Sequence, residues 1–303
     1  MLSYSVMEKM KSRFLLTLLA ASFLLACSDE QNSEIFVSSS LVNAESSIAP
    51  ETSTTTATVT MSTTTTTTTS VASTTTQPGP REVTIGTSHL GRPIVAVQIQ
   101  DSPHRPVIAI GSIHGDESMG LEVVERLRNS PDIPEGLNLW IIPTVNPDGL
   151  GASTRGNARG VDLNRNFATD DWRLVGQGSE KYSGETAASE VETQAVQQFV
   201  LEQQPLLVVW WHQFGNYVDE QRTVANFELI ERFSEMTGLP ITDVGCGSTP
   251  CVGNATVFIN LNIEGASSFV VELPRVVSSR ALDEQAKAFL AIAEMATQNI
   301  FAQ

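Results

Sequence analysis

Short, continuously apolar segments alternate with longer amphipathic stretches from residue 81 to the end of the chain. The apolar segments have the length of strands, and their lack of polar alternation indicates strands that are covered on both faces. The amphipathic stretches are longer and predict helices. The predicted strands are 94–99, 106–110, 137–142, 206–211 and 267–272, and the predicted helices are 118–128, 190–203, 224–237 and 281–300.

The alternation of strands with helices predicts an α/β fold in which helices cover both faces of one sheet. We therefore expect a three-layer α/β/α sandwich with a mixed, mostly parallel central sheet. Ser189 followed by Glu192 has the spacing of a capping box, which predicts the start of the second helix at this point.

The first 26 residues depart from this pattern and have the features of a targeting segment. Three basic residues precede an apolar run over residues 14–26, which is too short to span a bilayer and predicts a signal peptide over residues 1–26. Cys27 follows at once, which predicts a bacterial lipoprotein with Cys27 lipidated after cleavage. Leu25 occupies a position that is usually small, so an ordinary signal peptide cut nearby is the alternative. Either segment predicts an exported, extracytoplasmic protein, and lipidation would anchor it to the membrane.

Residues 27–80 predict a disordered linker, because threonine and serine dominate much of the segment and leave little apolar surface to bury. Such a segment serves as a spacer. The folded domain is then predicted over residues 81–303.

The net charge limits the classes of binding partner, and the cysteine content indicates whether the cysteines form a disulfide or a metal site. The chain has 34 acidic and 18 basic residues and a net charge of −16, which argues against nucleic acid as a partner. Beyond Cys27 it has two cysteines, Cys246 and Cys251. Because an even pair in an exported chain favours a disulfide over a metal site, we expect these two to be bonded.

Three apolar segments end in reactive groups, since His114, His212 and Glu272 each follow or terminate a predicted strand. Ligands of open α/β sheets bind beyond the carboxyl ends of the strands. A core would not need two imidazoles and a carboxylate at three separate strand ends. This distribution predicts a functional site there.

His114 and Glu117 can converge on one ion if the chain turns tightly, and Gly115 between them permits such a turn. His212 is available as a third ligand. Two histidines and one carboxylate leave a coordination position open, as catalytic zinc sites do. The sequence therefore predicts one Zn²⁺ ion at this site.

A set of motifs occurs in one order along residues 81–303: HGDE at 114–117, NPDG at 146–149, GVDLNRNF at 160–167, YSG at 182–184, SE at 189–190, then His212 and Glu272. In these motifs the chain resembles the M14 metallocarboxypeptidases. The resemblance implies a zinc carboxypeptidase-like fold, with zinc bound by His114, Glu117 and His212.

The resemblance also implies roles for other residues. Asp162 matches the acid that orients the first ligand histidine, and Glu272 matches the general base. Arg155 matches the arginine that stabilises the developing oxyanion, with Arg159 as a competing assignment.

Recognition of a terminal carboxylate is implied for two further residues. Asn164 and Arg165 match the pair that holds it, which suits a guanidinium because its two parallel N–H groups fit a carboxylate.

One feature departs from digestive members of the family. Residues 244–262 contain no tyrosine, whereas those members carry a substrate-capping tyrosine there. Tyr217 is a possible substitute, and the compact spacing of Arg155 and Arg165 is more similar to the bacterial murein peptide amidase branch. The pocket for a diaminopimelate side chain should then hold mixed polar groups, for which Asn260, Asn262 and Glu264 are candidates.

The branch implies cleavage of an amide bond adjacent to a free carboxylate in cell-wall peptides, at γ-D-glutamyl–diaminopimelate linkages. A peptidoglycan-derived peptide is the expected partner. Two alternatives stay open: a general metallocarboxypeptidase of exported or nutrient peptides, and a non-catalytic module that binds wall peptides.

Overall fold

The computed structural model describes residues 79–219, 225–243 and 251–299. The predicted signal peptide, Cys27, nearly all of the linker and Cys246 lie outside these ranges, so the targeting, lipidation, linker and disulfide hypotheses stay predictions. Among the described residues, no helix combines the length and apolar character needed to cross a membrane.

The described residues form an eight-stranded mixed sheet with the order β1-β2-β4-β3-β5-β8-β6-β7. The central strands β4, β3, β5 and β8 are parallel, whereas β1 and β2 are antiparallel additions on one side and β6 runs antiparallel to β8. The strands are β1 Arg81–Thr87, β2 Pro93–Gln100, β3 Val107–Ile110, β4 Leu139–Ile142, β5 Leu207–Gln213, β6 Tyr217–Asp219, β7 Ile241–Thr242 and β8 Ser267–Leu273.

Helices cover both faces of this sheet, as expected for a three-layer α/β/α sandwich. They are α1 Met119–Arg128, α2 Pro147–Ala152, α3 Val191–Gln203, α4 Phe227–Thr237, α5 Ala255–Asn262 and α6 Ser279–Asn299, with a short 3₁₀ turn at Leu163–Arg165. One hydrophobic cluster joins the sheet to α1, α4 and α6, and a second joins its other face to α3 and α5. The predicted fold class is thereby confirmed. Every residue of β3 and β5 is buried, which explains the continuously apolar sequence of β3 and of residues 207–211 in β5.

The elements missed by the sequence pattern are short or half-exposed. Strand β1 at one edge is largely exposed, and β6 and β7 at the other are only three and two residues long. Such strands bury too little apolar surface to leave a hydrophobic pattern. Helices α2 and α5 are six and eight residues long and were also missed.

The predicted capping box at the start of α3 is wrong. The N-cap residue is Glu190, and it makes no side-chain capping bond. The Ser189 hydroxyl donates to Glu190 Oε1 at 2.7 Å, while the Glu192 carboxylate accepts from the His89 N–H and from Asn157. The Ser189 hydroxyl also accepts from Asn166 Nδ2 at 3.0 Å, so partners elsewhere in the fold, together with the neighbouring Glu190, occupy the groups that a capping box would use.

Candidate active site

The parallel register brings the predicted reactive residues to one edge of the sheet. Strand β5 pairs with β8 so that His212 lies opposite Glu272. Strand β3 lies on the other side of β5 and leads into His114. Neighbouring parallel strands end at the same edge, so three distant chain segments converge there, as their positions at strand ends predicted.

Close backbone packing sets the position of His114. A Cβ atom at residue 115 would lie 1.9 Å from the carbonyl carbon of Gly149, so only glycine fits between these two turns. The Gly115 N–H donates to the Thr154 carbonyl at 2.9 Å, and the Ser112 hydroxyl donates to the His114 carbonyl at 2.7 Å. Gly115 therefore serves a close approach between two segments as well as a turn.

The ring nitrogens of two histidines face the carboxylate of Glu117. His114 Nδ1 lies 2.9 Å from Glu117 Oε1, and His212 Nδ1 lies 2.9 Å from Glu117 Oε2. The two imidazole rings meet edge to face with centroids 4.7 Å apart. One ligand atom from each residue lies within 4.8 Å of the others, so the structure brings together the three predicted metal ligands.

The chemistry of these donors fits a zinc ion. Zinc takes imidazole nitrogen and carboxylate oxygen at about 2.0–2.2 Å, which in a tetrahedral site places ligand atoms about 3.4 Å apart. His114 Nε2 lies 3.0 Å from Asp162 Oδ1, an arrangement that leaves Nδ1 free to face Glu117. His114, Glu117 and His212 are only 1%, 4% and 4% exposed. Three such groups, two of them basic imidazoles held against one acid, are arranged as a preformed cation site.

Electrostatics at these groups favour a cation. Burial alone would lower the pKa of His114, but the carboxylates of Glu117 and Asp162 outweigh it and raise the pKa to about 9. Burial would raise the pKa of Glu117, but the two facing imidazoles hold it well below its ordinary value. Burial would also raise the pKa of Asp162, but His114 and Arg155 hold it well below its ordinary value. Both carboxylates are therefore charged and buried, a costly arrangement unless positive charge lies beside them.

Arg155 bridges the acids on both sides of His114. Its Nη1 donates to Glu117 Oε1 at 3.0 Å, and its Nε and Nη2 donate to Asp162 Oδ2 at 3.0 and 2.8 Å. The competing Arg159 instead lies 3.5 Å from Glu185 and Glu190 and is not part of the cavity. Of the two arginines, only Arg155 can meet charge that develops at the histidine cluster.

Asn164 and Arg165 lie on the 3₁₀ turn that follows Asp162, and both line the same cavity. Asp162 Oδ1 accepts from the Asn164 N–H at 3.0 Å, so the residue that orients His114 also caps this turn. Arg165 Nη1 donates to the Asn164 carbonyl and to Asn254 Oδ1 at 2.6 and 3.3 Å. These bonds hold the guanidinium side chain in one place beside the cluster.

Glu272 projects into the cavity from β8. Burial raises its pKa above that of an ordinary glutamate, and the negative charge of Glu117 adds to the rise. A carboxylate with a raised pKa accepts a proton more readily, which suits a general base.

A cavity of about 410 Å³ connects all of these groups. Its wall also includes charged and polar residues of both signs that the sequence motifs had not singled out: Lys181, Asp219, Asp243 and Asn254. Tyr217, noted earlier only as a possible substitute, lines the cavity and pairs with Glu272 across β6 and β8.

The earlier pocket candidates were wrong. The Asn260 amide bonds both the N–H and the carbonyl of Ser268, and Asn262 Nδ2 donates to the Phe258 carbonyl within its own helix. Neither they nor Glu264 line the cavity. Cys251 does, but Cys246 lies outside the described residues, so their bond stays a prediction.

The chain is similar to known proteins over most of its folded part. The family model for zinc carboxypeptidase, Peptidase_M14, matches residues 74–221. Murein peptide amidase A of Escherichia coli (strain K12) is 28% identical over 215 residues, which covers 66% of this chain and 84% of that protein.

Two solved structures share the architecture. Murein-tripeptide amidase MpaA from Escherichia coli O157 is 26% identical with a TM-score of 0.56, covering 73% of this chain and 92% of that chain. Carboxypeptidase A from Helicoverpa armigera is 17% identical with a TM-score of 0.60, covering 74% and 70% of the two chains, and supports the fold alone. Together with the histidine–glutamate cluster, these similarities lead to one conclusion: the chain carries a zinc carboxypeptidase domain of the Peptidase_M14 type over residues 74–221 and is a hydrolase.

Proposed function

We propose that this protein hydrolyses an amide bond adjacent to a free carboxylate in cell-wall peptides, at γ-D-glutamyl–diaminopimelate linkages. The observation that carries the proposal is a single cavity in which Arg165 and Asn164 lie beside the His114, Glu117 and His212 cluster and Glu272. The similarity to murein peptide amidase A over most of the domain supports the substrate class.

Each group of residues in the cavity has a separate role in the reaction. His114, Glu117 and His212 would hold zinc, which when bound polarises a carbonyl and makes water more acidic. Arg165 and Asn164 hold the free carboxylate and so place the neighbouring amide bond. Arg155 stabilises the negative charge that develops on the carbonyl oxygen. Glu272 takes the proton from the attacking water and delivers it to the leaving nitrogen.

The lining of the cavity favours diaminopimelate over an ordinary apolar residue. A released diaminopimelate carries a second amine and a second carboxylate, and buried charged groups need partners of opposite sign. Lys181 supplies positive charge on the wall, and Asp219 and Asp243 supply negative charge. A general carboxypeptidase that releases apolar residues would be expected to have an apolar cavity wall.

The experiment that tests this function is digestion of purified muropeptides by the zinc-loaded protein, followed by mass spectrometry of the products. We expect cleavage of the γ-D-glutamyl–diaminopimelate bond and its loss with a chelator. A parallel panel of α-linked peptides provides the comparison. Cleavage of that panel without muropeptide cleavage would identify a general carboxypeptidase, and binding of muropeptides without turnover would identify a binding module.

Replacing Arg165 with alanine should selectively weaken capture of substrates that have a free carboxylate. A hydrogen bond to a charged group contributes about 1.5–3 kcal/mol, so KM should rise about ten- to hundredfold for the free acid. The same substrate with its carboxylate amidated should be much less affected. Arg232→Ala, on the exposed face of α4, is the matched control. Equal losses on both substrates would show that Arg165 does not read the carboxylate.

We further propose that the domain acts outside the cytoplasm, held near the wall by a lipid at Cys27 and the threonine-rich spacer. The sequence of residues 1–80 alone supports this location. Metabolic labelling with a radioactive fatty acid tests it, because labelling that survives in the Cys27→Ser variant would contradict a lipid at that residue.

A further inference from the structure

A buried amide outside the cavity joins the catalytic loop to the body of the domain. We propose that Asn157, together with Glu190 and Glu192, positions the loop that carries Arg155 and Asp162. The inference rests on the roles proposed above for Arg155 and Asp162. None of the three residues lines the cavity, so they would act only through that loop.

Within the loop, the chain closes around Asn157. Its side-chain Oδ1 accepts from the N–H groups of Arg159 and Val161 at 3.0 and 3.1 Å. Its own N–H donates to the Val161 carbonyl at 2.9 Å, and its carbonyl accepts from the Gly160 N–H at 2.8 Å. Gly160 has a φ of +74°, a conformation that favours glycine. The side chain and the backbone of Asn157 together hold the path of the segment between Arg155 and Asp162.

The other end of the same amide reaches the start of α3. Asn157 Nδ2 donates to Glu190 Oε2 at 2.8 Å and to Glu192 Oε2 at 3.2 Å. The three residues are 4%, 2% and 0% exposed. Helix α3 packs against the sheet through its apolar residues, so the loop is tied to a rigid element.

The second carboxylate oxygens of Glu190 and Glu192 bind further groups of the domain. Glu192 Oε1 accepts from the His89 N–H at 2.9 Å, and Glu190 Oε1 accepts from the Ser189 hydroxyl at 2.7 Å. The same Glu190 oxygen lies 3.5 Å from Arg159 Nη1, which supplies one positive charge to the two acids. Even so, two carboxylates buried beside one amide are costly, and apolar residues would stabilise the fold at lower cost. Their geometry leaves the amide a single orientation, with its donors toward the acids and its acceptor toward the loop.

The position of this loop matters because both of its functional residues act through short contacts. Asp162 contacts His114 at 3.0 Å, and Arg155 contacts Glu117 at 3.0 Å. A misplacement of about 1 Å at a reacting group can cost about a hundredfold in rate. Loss of a partner that orients a metal-binding histidine costs about ten- to a hundredfold in metal affinity.

The first test replaces Asn157 with alanine and measures zinc affinity and turnover per zinc-loaded molecule. We expect the zinc dissociation constant to rise about tenfold or more. We also expect kcat to fall about tenfold or more, with KM nearly unchanged. Asn138→Ala is the matched control, because Asn138 makes three similar bonds at the opposite end of the sheet, to His104, Gln98 and Trp140. Asn157→Ala with unchanged zinc affinity and kcat, whatever its stability, would overturn the inference.

The second test exchanges the donor and the acceptor of the hydrogen bond between residues 157 and 190. It tests the positioning role even if Asn157→Ala does not fold. Asn157→Asp places a third carboxylate against Glu190 and Glu192 and should impair zinc affinity and kcat. In the double variant with Glu190→Gln, the amide at residue 190 donates to the carboxylate at residue 157, which restores one hydrogen bond with donor and acceptor exchanged. Zinc affinity and kcat should then both recover by about tenfold. Recovery of melting temperature alone would contradict a positioning role. Zinc affinity needs no substrate, so it tests the inference even if the wild-type protein cleaves no muropeptide.

Discussion

The Glu272→Gln variant should retain its zinc and its melting temperature while losing about 10²- to 10⁴-fold in kcat, the contribution of a general acid–base group. Glutamine has the shape of glutamate but cannot accept the proton of the attacking water. Glu272 is mostly buried beside His212, and burial raises its pKa, so the neutral side chain is well tolerated there. Substrate affinity should change little, because the carboxylate of the substrate is held by other residues.

The measurement is steady-state hydrolysis of a muropeptide, together with metal analysis of the same preparation. Glu264→Gln is the matched control, because Glu264 is exposed and lies outside the cavity. A Glu272→Gln enzyme with nearly wild-type kcat would show that another group moves the proton.

The His212→Ala variant should lose stoichiometric zinc and about 10³-fold or more of its activity. His212 supplies one of the two imidazoles that face Glu117, and two remaining ligands do not make a stable zinc site. Metal polarisation is worth several kcal/mol, and each 1.4 kcal/mol corresponds to a tenfold rate.

Metal content after dialysis, measured by mass spectrometry, tests this prediction without reference to any substrate. His89→Ala is the control, because the side chain of His89 is exposed and lies outside the cavity. Retention of one tightly bound zinc per His212→Ala chain would contradict the proposed ligand set.

The sequence was most informative where function needs a residue type at a strand end. His114, His212 and Glu272 could be singled out because polar groups at or just beyond the ends of buried strands have few structural uses. Apolar runs located the central strands, because β3 and residues 207–211 of β5 are buried on both faces and carry only apolar side chains. The edge strand β1 and the short β6 and β7 left no such pattern, because edges bury little surface.

The errors share a cause in long-range partners. Ser189 and Glu192 have the spacing of a helix cap, yet the side chains of Asn166 and Asn157 donate to their oxygens. Asn260 looked available for a ligand, but the backbone of Ser268 uses both ends of its amide.

The motifs and the hydrophobic periodicity were sufficient for the α/β class and for the hydrolase class. They also selected His114, Glu117 and His212, which the fold brings together. The other side chains that line the cavity could be identified only from the tertiary structure. Tyr217 faces Glu272 only through the β6–β8 pairing, and Lys181 and Asp219 come from segments far apart in the chain. Local sequence encodes the hydrophobic periodicity of each helix or strand and the reactive residues at the end of a strand. The neighbours of a side chain across the fold follow from register and packing between distant segments, and no local pattern carries that information.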